Sequence, residues 1–310
     1  SLAGEGGQEQ RSPRLDESEM QAMQHRRIGQ QTVSAIGLGG MPMSIEGRPD
    51  RARSIAAVHA SLDAGVTLID TADSYHLKPG EVGHNEELIA EALASWGGDT
   101  GDVLVATKGG HLRPGDGSWT LDGSPEHLRA ACDASLKRLG VEAIGLYQFH
   151  RPDPKVPYLE SVGVLGELLD AGKIRMAGIS NADPDQIRAS QDELGGRLVS
   201  VQNQYSPAFR SSLPELRLCQ QMGLAFLPWS PLGGIGNAGD LATHDAFATV
   251  AAAHGVSPQQ VTLAWMLATA PVVVPIPGAS RPETARDSAA AADLRLTDDE
   301  LATLDASVDG

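Results

Sequence analysis

Cysteine is scarce in this chain. Of its 310 residues only two are cysteines, Cys132 and Cys219, and neither belongs to a C-x-x-C pair. Each falls in a helical pattern whose neighbours are mostly apolar or uncharged. We therefore expect two buried, reduced thiols.

Long apolar runs are also missing. No segment reaches the length of a bilayer-spanning helix, and residues 1–20 contain no apolar core of a secretory signal. By default we expect a cytoplasmic protein. Residues 1–26 are polar and cannot bury enough surface to order themselves, so we expect a flexible tail there, followed by one folded domain at 27–310.

Positive charge is in the minority. Lysine and arginine together number 24 against 40 aspartates and glutamates, which gives a net charge of −16. This charge argues against non-specific binding to nucleic acid or to anionic membranes, and we expect neither as a partner. We expect a monomer or a weak homo-oligomer. An anionic ligand would need a local basic pocket.

From Ser34 onward, apolar strand-like runs alternate regularly with helical patterns, and this alternation requires a mostly parallel α/β sheet. The predicted helices include 51–64, 84–95, 125–139, 158–171, 213–222 and 257–269. The predicted strands are 34–39, 66–69, 103–107, 144–149, 174–179, 198–202, 224–228 and 272–276.

Glycine patterns decide between an open and a closed sheet. The stretch after the first strand reads G-x-G-x-x-P (37–42), and Pro42 stands where a dinucleotide-binding fold has its helix-packing glycine. This favours a single-domain (β/α)8 TIM barrel over a doubly wound sheet. A true G-x-G-x-x-G occurs at 234–239, but no βαβ unit follows, so we expect a loop there that could close over a ligand.

Polar side chains stand where three of the predicted strands end. Asp70 and Tyr75 follow the second strand, Lys108 the third and His150 the fourth. The carboxyl ends of barrel strands converge on one face, where such enzymes work. A phenol has a pKa of about 10, which the ammonium of Lys108, oriented by Asp70, would lower. With His150 aligning a carbonyl, the set suits protonation of a developing alkoxide and therefore carbonyl reduction by a hydride donor.

Seven stretches of the chain carry motifs in a fixed order: IDTADSY (69–75), ATKGG (106–110), LYQFHRPDP (146–154), GKIRMAGISN (172–181), VQNQYSP (201–207), LPWSPLGG (227–234) and PIPGASRPET (275–284). Together they resemble the aldo-keto reductase family, in motif style nearest to its bacterial pyridoxal-reductase-like members. The likeness covers nearly all of residues 27–307. It implies a (β/α)8 barrel with an extended nicotinamide cofactor, the tetrad named above, and a small-molecule aldehyde or ketone as substrate.

The resemblance also implies the cofactor contacts. The nicotinamide carboxamide would be held by Ser180, Asn181 and Gln202, with Trp229 stacked on the ring. The ring pocket would be lined by Gly40 and Met41, and Asp70 would also contact the cofactor. The pyrophosphate would lie along Ser230, Leu232 and Gly234. The adenosine end would be surrounded by Gly278, Ser280, Arg281, Thr284 and Asp287.

The chain departs from the family pattern at the adenosine end. Many relatives place a lysine where Gly278 stands, so Arg281 is the main candidate to bind a 2′-phosphate. We expect NADP as the cofactor, with NAD as the alternative.

Two other function classes remain open. A metal-dependent barrel hydrolase could use Asp70, His150 and Asp153, but no H-x-H follows the first strand and no compact ligand cluster is visible, so we expect no metal. A nicotinamide-binding regulatory protein with little turnover is the non-enzymatic alternative. Near the mouth we expect His111 at the rim, as with His76 and His84, and Trp119 either as a packing anchor or as a pocket wall.

Overall fold

Strands make up the inner layer of the molecule. The computed structural model describes residues 25–233 and 245–308. Eleven strands lie within these residues: β1 (His25–Ile28), β2 (Gln31–Ser34), β3 (Leu38–Gly39), β4 (Leu68–Asp70), β5 (Leu104–Gly109), β6 (His111–Leu112), β7 (Thr120–Leu121), β8 (Ile144–Phe149), β9 (Ile174–Ser180), β10 (Leu198–Gln202) and β11 (Ala225–Phe226).

Seven of these strands form one parallel sheet in the order β11-β10-β9-β8-β5-β4-β3. Residues 272–278 connect its two edges. Val273 bridges to Phe226 on one side, and Gly278 bridges to Gly39 on the other. The predicted eighth strand therefore closes a (β/α)8 barrel, which confirms the expected fold, although it forms isolated bridges and no continuous ladder.

Proline explains this irregular closure. Pro275 and Pro277 lack a backbone N–H and so cannot donate to a ladder. Their carbonyls still accept from Gly37 and Gly39, each at 2.9 Å. A Cβ at Gly39 would lie 2.7 Å from the carbonyl oxygen of Ile276, so the close approach at the seam requires glycine.

Ten helices surround the barrel in the described residues, and several of them start at a residue whose side chain caps the first turn. Ser124 accepts from the His127 N–H at the start of α3, and Asp183 forms a capping box at the start of α5. The helices are α1 (Arg51–Asp63), α2 (His84–Ser95), α3 (Pro125–Leu139), α4 (Tyr158–Asp170), α5 (Pro184–Glu193), α6 (Leu213–Met222), α7 (Asp245–His254), α8 (Pro258–Thr269), α9 (Pro282–Ala290) and α10 (Asp298–Val308).

The core has an inner and an outer part because strand side chains alternate in direction. Leu146 of β8 packs inside the barrel, whereas Tyr147 and Phe149 pack between sheet and helices. Cys132 and Cys219 are free and fully buried, as predicted. Within residues 25–233 and 245–308, no helix combines the length and apolar character that a membrane crossing needs.

Two antiparallel hairpins lie outside the barrel sheet. The β1–β2 hairpin packs Ile28 and Val33 against the barrel interior. It includes His25 and Arg26, which the sequence analysis placed in the tail, because both pair with β2. The remainder of the predicted tail, residues 1–24, lies outside the described residues. The β6–β7 hairpin lies between β5 and α3, where the sequence analysis placed no strand.

Candidate active site

A cavity of about 780 Å³ opens where the barrel strands end. This volume falls within the range of about 300–1,000 Å³ for small-molecule sites. Three of the four predicted catalytic residues line it, namely Asp70, Tyr75 and His150. The fourth, Lys108, is fully buried directly behind two of them.

Lys108 joins Asp70 and Tyr75 in one hydrogen-bonded group. Its ammonium donates to Asp70 Oδ2 at 2.5 Å, to the Thr71 carbonyl at 3.0 Å and to the Tyr75 hydroxyl at 2.8 Å. All three donors of the ammonium are therefore used. The phenol is held by a charged donor at the cavity wall.

Burial changes the acidity of this group. Desolvation raises the pKa of Tyr75 above its usual value, although the Lys108 ammonium opposes the shift. The sequence-based expectation of a lowered phenol pKa is therefore wrong for the protein alone, because burial outweighs the neighbouring charge. Burial alone would lower the pKa of Lys108, but Asp70 and Tyr75 raise it overall, so the lysine stays charged.

His150 faces the same space as Tyr75. The two rings are perpendicular, with centroids 5.9 Å apart. Burial, with Lys108 and Arg151 nearby, holds the pKa of His150 well below its ordinary value, so the imidazole is neutral. A neutral imidazole keeps one N–H donor and one acceptor.

Asp70 has further partners that the sequence analysis missed. Its Oδ1 accepts from Gln148 Nε2 at 3.2 Å and from Gln202 Nε2 at 2.9 Å. Gln148 is fully buried on β8, and its Oε1 accepts from Gln202 at 2.9 Å. A signal existed in the sequence, since a glutamine inside the apolar run IGLYQF shares the strand face of His150.

The residues predicted to hold a carboxamide lie together. Trp229 Nε1 donates to Asn181 Oδ1 at 3.1 Å, and Asn181 Nδ2 donates to the His150 carbonyl at 3.0 Å. Ser180 Oγ donates to the Gln202 carbonyl at 2.7 Å. These four predicted positions all line the cavity.

Two residues of this wall have a left-handed backbone. Asn181 has a φ of 57° and Ser230 a φ of 49°, and they are the two non-glycine residues with positive φ in the described part of the chain. Such conformations cost free energy and cluster at functional sites. Both residues line the cavity, so the strain is concentrated there.

Gly40, one of the two predicted ring-pocket residues, is held by a side chain outside the predicted set. Asn85 donates to the Gly40 carbonyl at 2.8 Å and accepts from Thr71 Oγ1 at 2.6 Å. A Cβ at Gly40 would lie 2.5 Å from Asn85 Oδ1, so this position requires glycine. Both Gly40 and Met41 line the cavity.

Most residues assigned to the pyrophosphate and adenosine end also line the cavity. They are Ser230, Leu232, Gly278, Ser280, Arg281 and Thr284. Asp287 does not, because its carboxylate accepts from Ser257 Oγ at 2.5 Å and so belongs to the contact between α9 and α8. Gly234, together with the glycine-rich segment 234–239, lies outside the described residues.

The β6–β7 hairpin supplies the opposite wall. Trp119 stacks on His111 with centroids 4.8 Å apart, and both line the cavity, so Trp119 is a pocket wall. His76 and His84 do not line it: His76 contacts the Lys78 carbonyl, and His84 contacts Ser44.

Comparisons with known proteins agree with this geometry. The sequence profile of the aldo/keto reductase family matches residues 35–309. The chain belongs to the aldo/keto reductase family. It is 37% identical over 273 residues to the 6-dehydroglucose reductase of Novosphingobium aromaticivorans, with 85% of this chain and 88% of that protein covered. An uncharacterized oxidoreductase of Schizosaccharomyces pombe is 34% identical over 285 residues, with coverage of 90% and 88%.

A solved structure with bound NADP has a similar fold. An aldo/keto reductase from Klebsiella pneumoniae, crystallised with NADP and acetate, superposes with a TM-score of 0.77 at 31% identity. The alignment covers 91% of this chain and 94% of that one. The expected family is therefore confirmed, whereas the nearer likeness of this aldo/keto reductase to pyridoxal reductases stays a prediction.

Proposed function

We propose that the protein reduces an aldehyde or ketone to the corresponding alcohol, with NADPH as the hydride donor. The observation that carries the proposal is the contact of 2.8 Å between the Lys108 ammonium and the Tyr75 hydroxyl at the wall of a large cavity. The NADP complex of the similar Klebsiella enzyme supports the choice of cofactor.

The residues present fit such a cofactor. Trp229 offers an indole face, and Gln202 keeps an oxygen for a carboxamide because its amide N–H groups already bind Asp70 and Gln148. Asn181 and Ser180 would complete the carboxamide site. Arg281 at the far end suits a 2′-phosphate, since a guanidinium binds phosphate oxygens in pairs.

The roles of the tetrad follow from these positions. Bound NADPH supplies the hydride. Tyr75 donates its hydroxyl proton to the carbonyl oxygen of the substrate as negative charge develops there. Lys108 stabilises the phenolate that remains, and Asp70 keeps Lys108 charged and in place. His150, neutral and across the cavity, is available to align the carbonyl.

Neither alternative function has comparable support. Asp70, which a metal hydrolase would use as a ligand, is engaged by Lys108. Within the described residues no group of three His, Cys, Asp or Glu side chains is arranged to hold a metal. A regulatory nicotinamide-binding protein would not need the Lys108–Tyr75 pair.

A cytoplasmic location and a monomeric or weakly associating state are also proposals. The two buried free thiols, Cys132 and Cys219, are typical of proteins from reducing compartments. The net charge of −16 favours repulsion between copies of the chain.

Replacement of the phenol tests the proposal. Tyr75→Phe should lower turnover of NADPH with an aldehyde panel by about 10²-fold or more, because the proton donor is lost. The Kd for NADPH, measured by fluorescence titration, should stay nearly unchanged. Wild-type protein that binds NADPH but reduces no member of the panel would instead support the regulatory alternative. Near-wild-type turnover in Tyr75→Phe, with chemistry rate-limiting, would remove Tyr75 as the acid.

A further inference from the structure

Arg151 is a cation of the cavity wall that the proposed reaction does not use. It follows His150 directly and lines the cavity, yet no hydrogen bond or ion pair joins its guanidinium to another residue of the described chain. Its Nε is fully buried without a partner. A buried, unsatisfied donor is costly and calls for a specific reason.

Three other partly buried arginines of the described chain have a carboxylate partner. Arg48 binds Glu81 at 3.0 Å, Arg138 binds Glu86 at 2.8 Å, and Arg113 binds Glu46. The chain contains 40 Asp and Glu residues, so a shortage of carboxylates does not explain why Arg151 lacks an acidic partner. Arg26, also partly buried, has no carboxylate partner but donates to the Leu267 carbonyl at 3.0 Å. Arg151 differs from all four because its guanidinium has no acceptor among the described residues.

The substrate end of the cavity is consequently electropositive. The charge of Asp70 is balanced by Lys108 at 2.5 Å. Burial lowers the pKa of His111 to about 4, and His150 is also neutral, so neither ring carries charge at neutral pH. Among the described residues beside His150, the charge of Arg151 is the one left without an ionic partner, on a protein of net charge −16.

We propose that Arg151 determines substrate specificity by binding an oxyanion, so that the preferred substrates are aldehydes or ketones carrying a carboxylate or phosphate group. A guanidinium presents paired N–H donors that match such groups. Arg151 adjoins His150, which places the anion within one side-chain length of the reacting carbonyl. This inference rests on the proposed carbonyl reduction and adds its substrate class.

Matched acid and ester substrates test this inference. The probes are 4-carboxybenzaldehyde, 4-formylphenyl phosphate and the neutral methyl 4-formylbenzoate, assayed with wild type, Arg151→Met, Arg151→Lys and the control Arg188→Met. Arg188 is an exposed residue of α5 that pairs with Asp185 and does not line the cavity. Arg151→Met should lower kcat/KM for the preferred anionic probe by about 10- to 100-fold and for the ester by less than about threefold.

The other variants sharpen this expectation. Arg151→Lys should recover part of the loss, because it keeps the charge without the paired donors. Arg188→Met should match wild type on every probe. The relative losses on the carboxylate and the phosphate identify which oxyanion the site takes.

Three results would overturn the inference. Equal losses on anionic and neutral probes would show that Arg151 only supports His150. A raised Kd for NADPH in Arg151→Met would make Arg151 a cofactor residue. A wild-type preference for the ester would remove the anion site.

A binding measurement separates this inference from the proposed reaction. Terephthalate, titrated by calorimetry into protein saturated with NADP, should bind wild type at least about tenfold more tightly than Arg151→Met. Arg151-dependent binding without any turnover would refute carbonyl reduction and leave the oxyanion site standing. Turnover of the neutral ester without Arg151-dependent binding would do the reverse.

Discussion

Removal of the Lys108 ammonium should lower both the stability of the fold and the turnover. The loss of stability arises at Asp70, and the loss of turnover arises at Tyr75. Lys108 is completely buried, and the side chain of Asp70 is 4% exposed, so Lys108→Met leaves a buried carboxylate without its counter-charge. Breaking such a pair costs about 3–5 kcal/mol. The lower end, about 3 kcal/mol, fits here because Gln148 and Gln202 still donate to Asp70.

The catalytic loss comes from Tyr75. Burial already raises the pKa of its phenol, and Lys108 is the first group that opposes this shift. Without the ammonium the phenolate left after proton transfer is less stable, so turnover at neutral pH should fall by about 10²-fold or more. The apparent acid pKa in the pH profile should rise.

A double variant separates the two effects. Asp70→Asn combined with Lys108→Met removes both charges, and should recover at least about 1 kcal/mol of unfolding free energy relative to Lys108→Met while turnover stays low. Urea unfolding and single-turnover kinetics with NADPH measure the two quantities. An unchanged urea midpoint together with turnover within about threefold of wild type in Lys108→Met would refute the reasoning. Recovery of turnover in the double variant would exclude an action of Lys108 on Tyr75.

Three further variants test other parts of the site. Trp229→Ala should weaken the binding of NADPH by at least about 1 kcal/mol, because the nicotinamide ring loses its stacking partner. An unchanged Kd in fluorescence titration would place the nicotinamide ring elsewhere. Arg281→Ala should weaken the binding of NADPH by about 1.5–3 kcal/mol and leave the binding of NADH almost unchanged. Equal losses of binding free energy for the two cofactors in calorimetry would rule out a contact between Arg281 and the 2′-phosphate. Burial, with Glu86 adding to it, raises the pKa of Asp73 to about 8, above the ordinary value of 3.8, so stability should fall as the pH rises between these values. Asp73→Asn should make the free energy of unfolding, measured by urea titration, less dependent on pH, and should raise it by up to about 5 kcal/mol at pH 8. An unchanged pH dependence would contradict the raised pKa of Asp73.

The barrel could be predicted because its strands are buried on both faces and its helices repeat apolar residues at helical spacing. Apolar runs ending in polar residues located β4, β5 and β8, and the helical pattern at 125–139 located α3. The eighth strand was predicted from its apolar residues as a regular strand. It forms isolated bridges because Pro275 and Pro277 interrupt the hydrogen-bonded ladder. The β6–β7 hairpin escaped prediction because its strands are two residues each and carry no alternation.

The site could be predicted where function needs an unusual residue type at a strand end, as for Lys108. It could not be predicted where the role depends on which partners surround a common residue. Arg151 is one example, because the absence of an acidic partner is a property of the fold. Asp287 is another, since its carboxylate binds Ser257 across two helices. The pKa of Tyr75 likewise depends on a balance between burial and charge that only the packed structure determines.

Asp70 explains why the proposed catalytic and cofactor positions are so closely connected. A carboxylate inside a barrel loses hydration worth several kcal/mol, and it is tolerated only with strong compensation. Donors come from three other strands: Lys108 of β5, Gln148 of β8 and Gln202 of β10. One buried charge therefore fixes the ammonium behind the phenol and also the amide proposed to receive the carboxamide. Changes at Asp70 should reach both sides of the cavity, whereas loss of the Tyr75 hydroxyl removes the proton donor and one acceptor of Lys108 but no partner of Gln202.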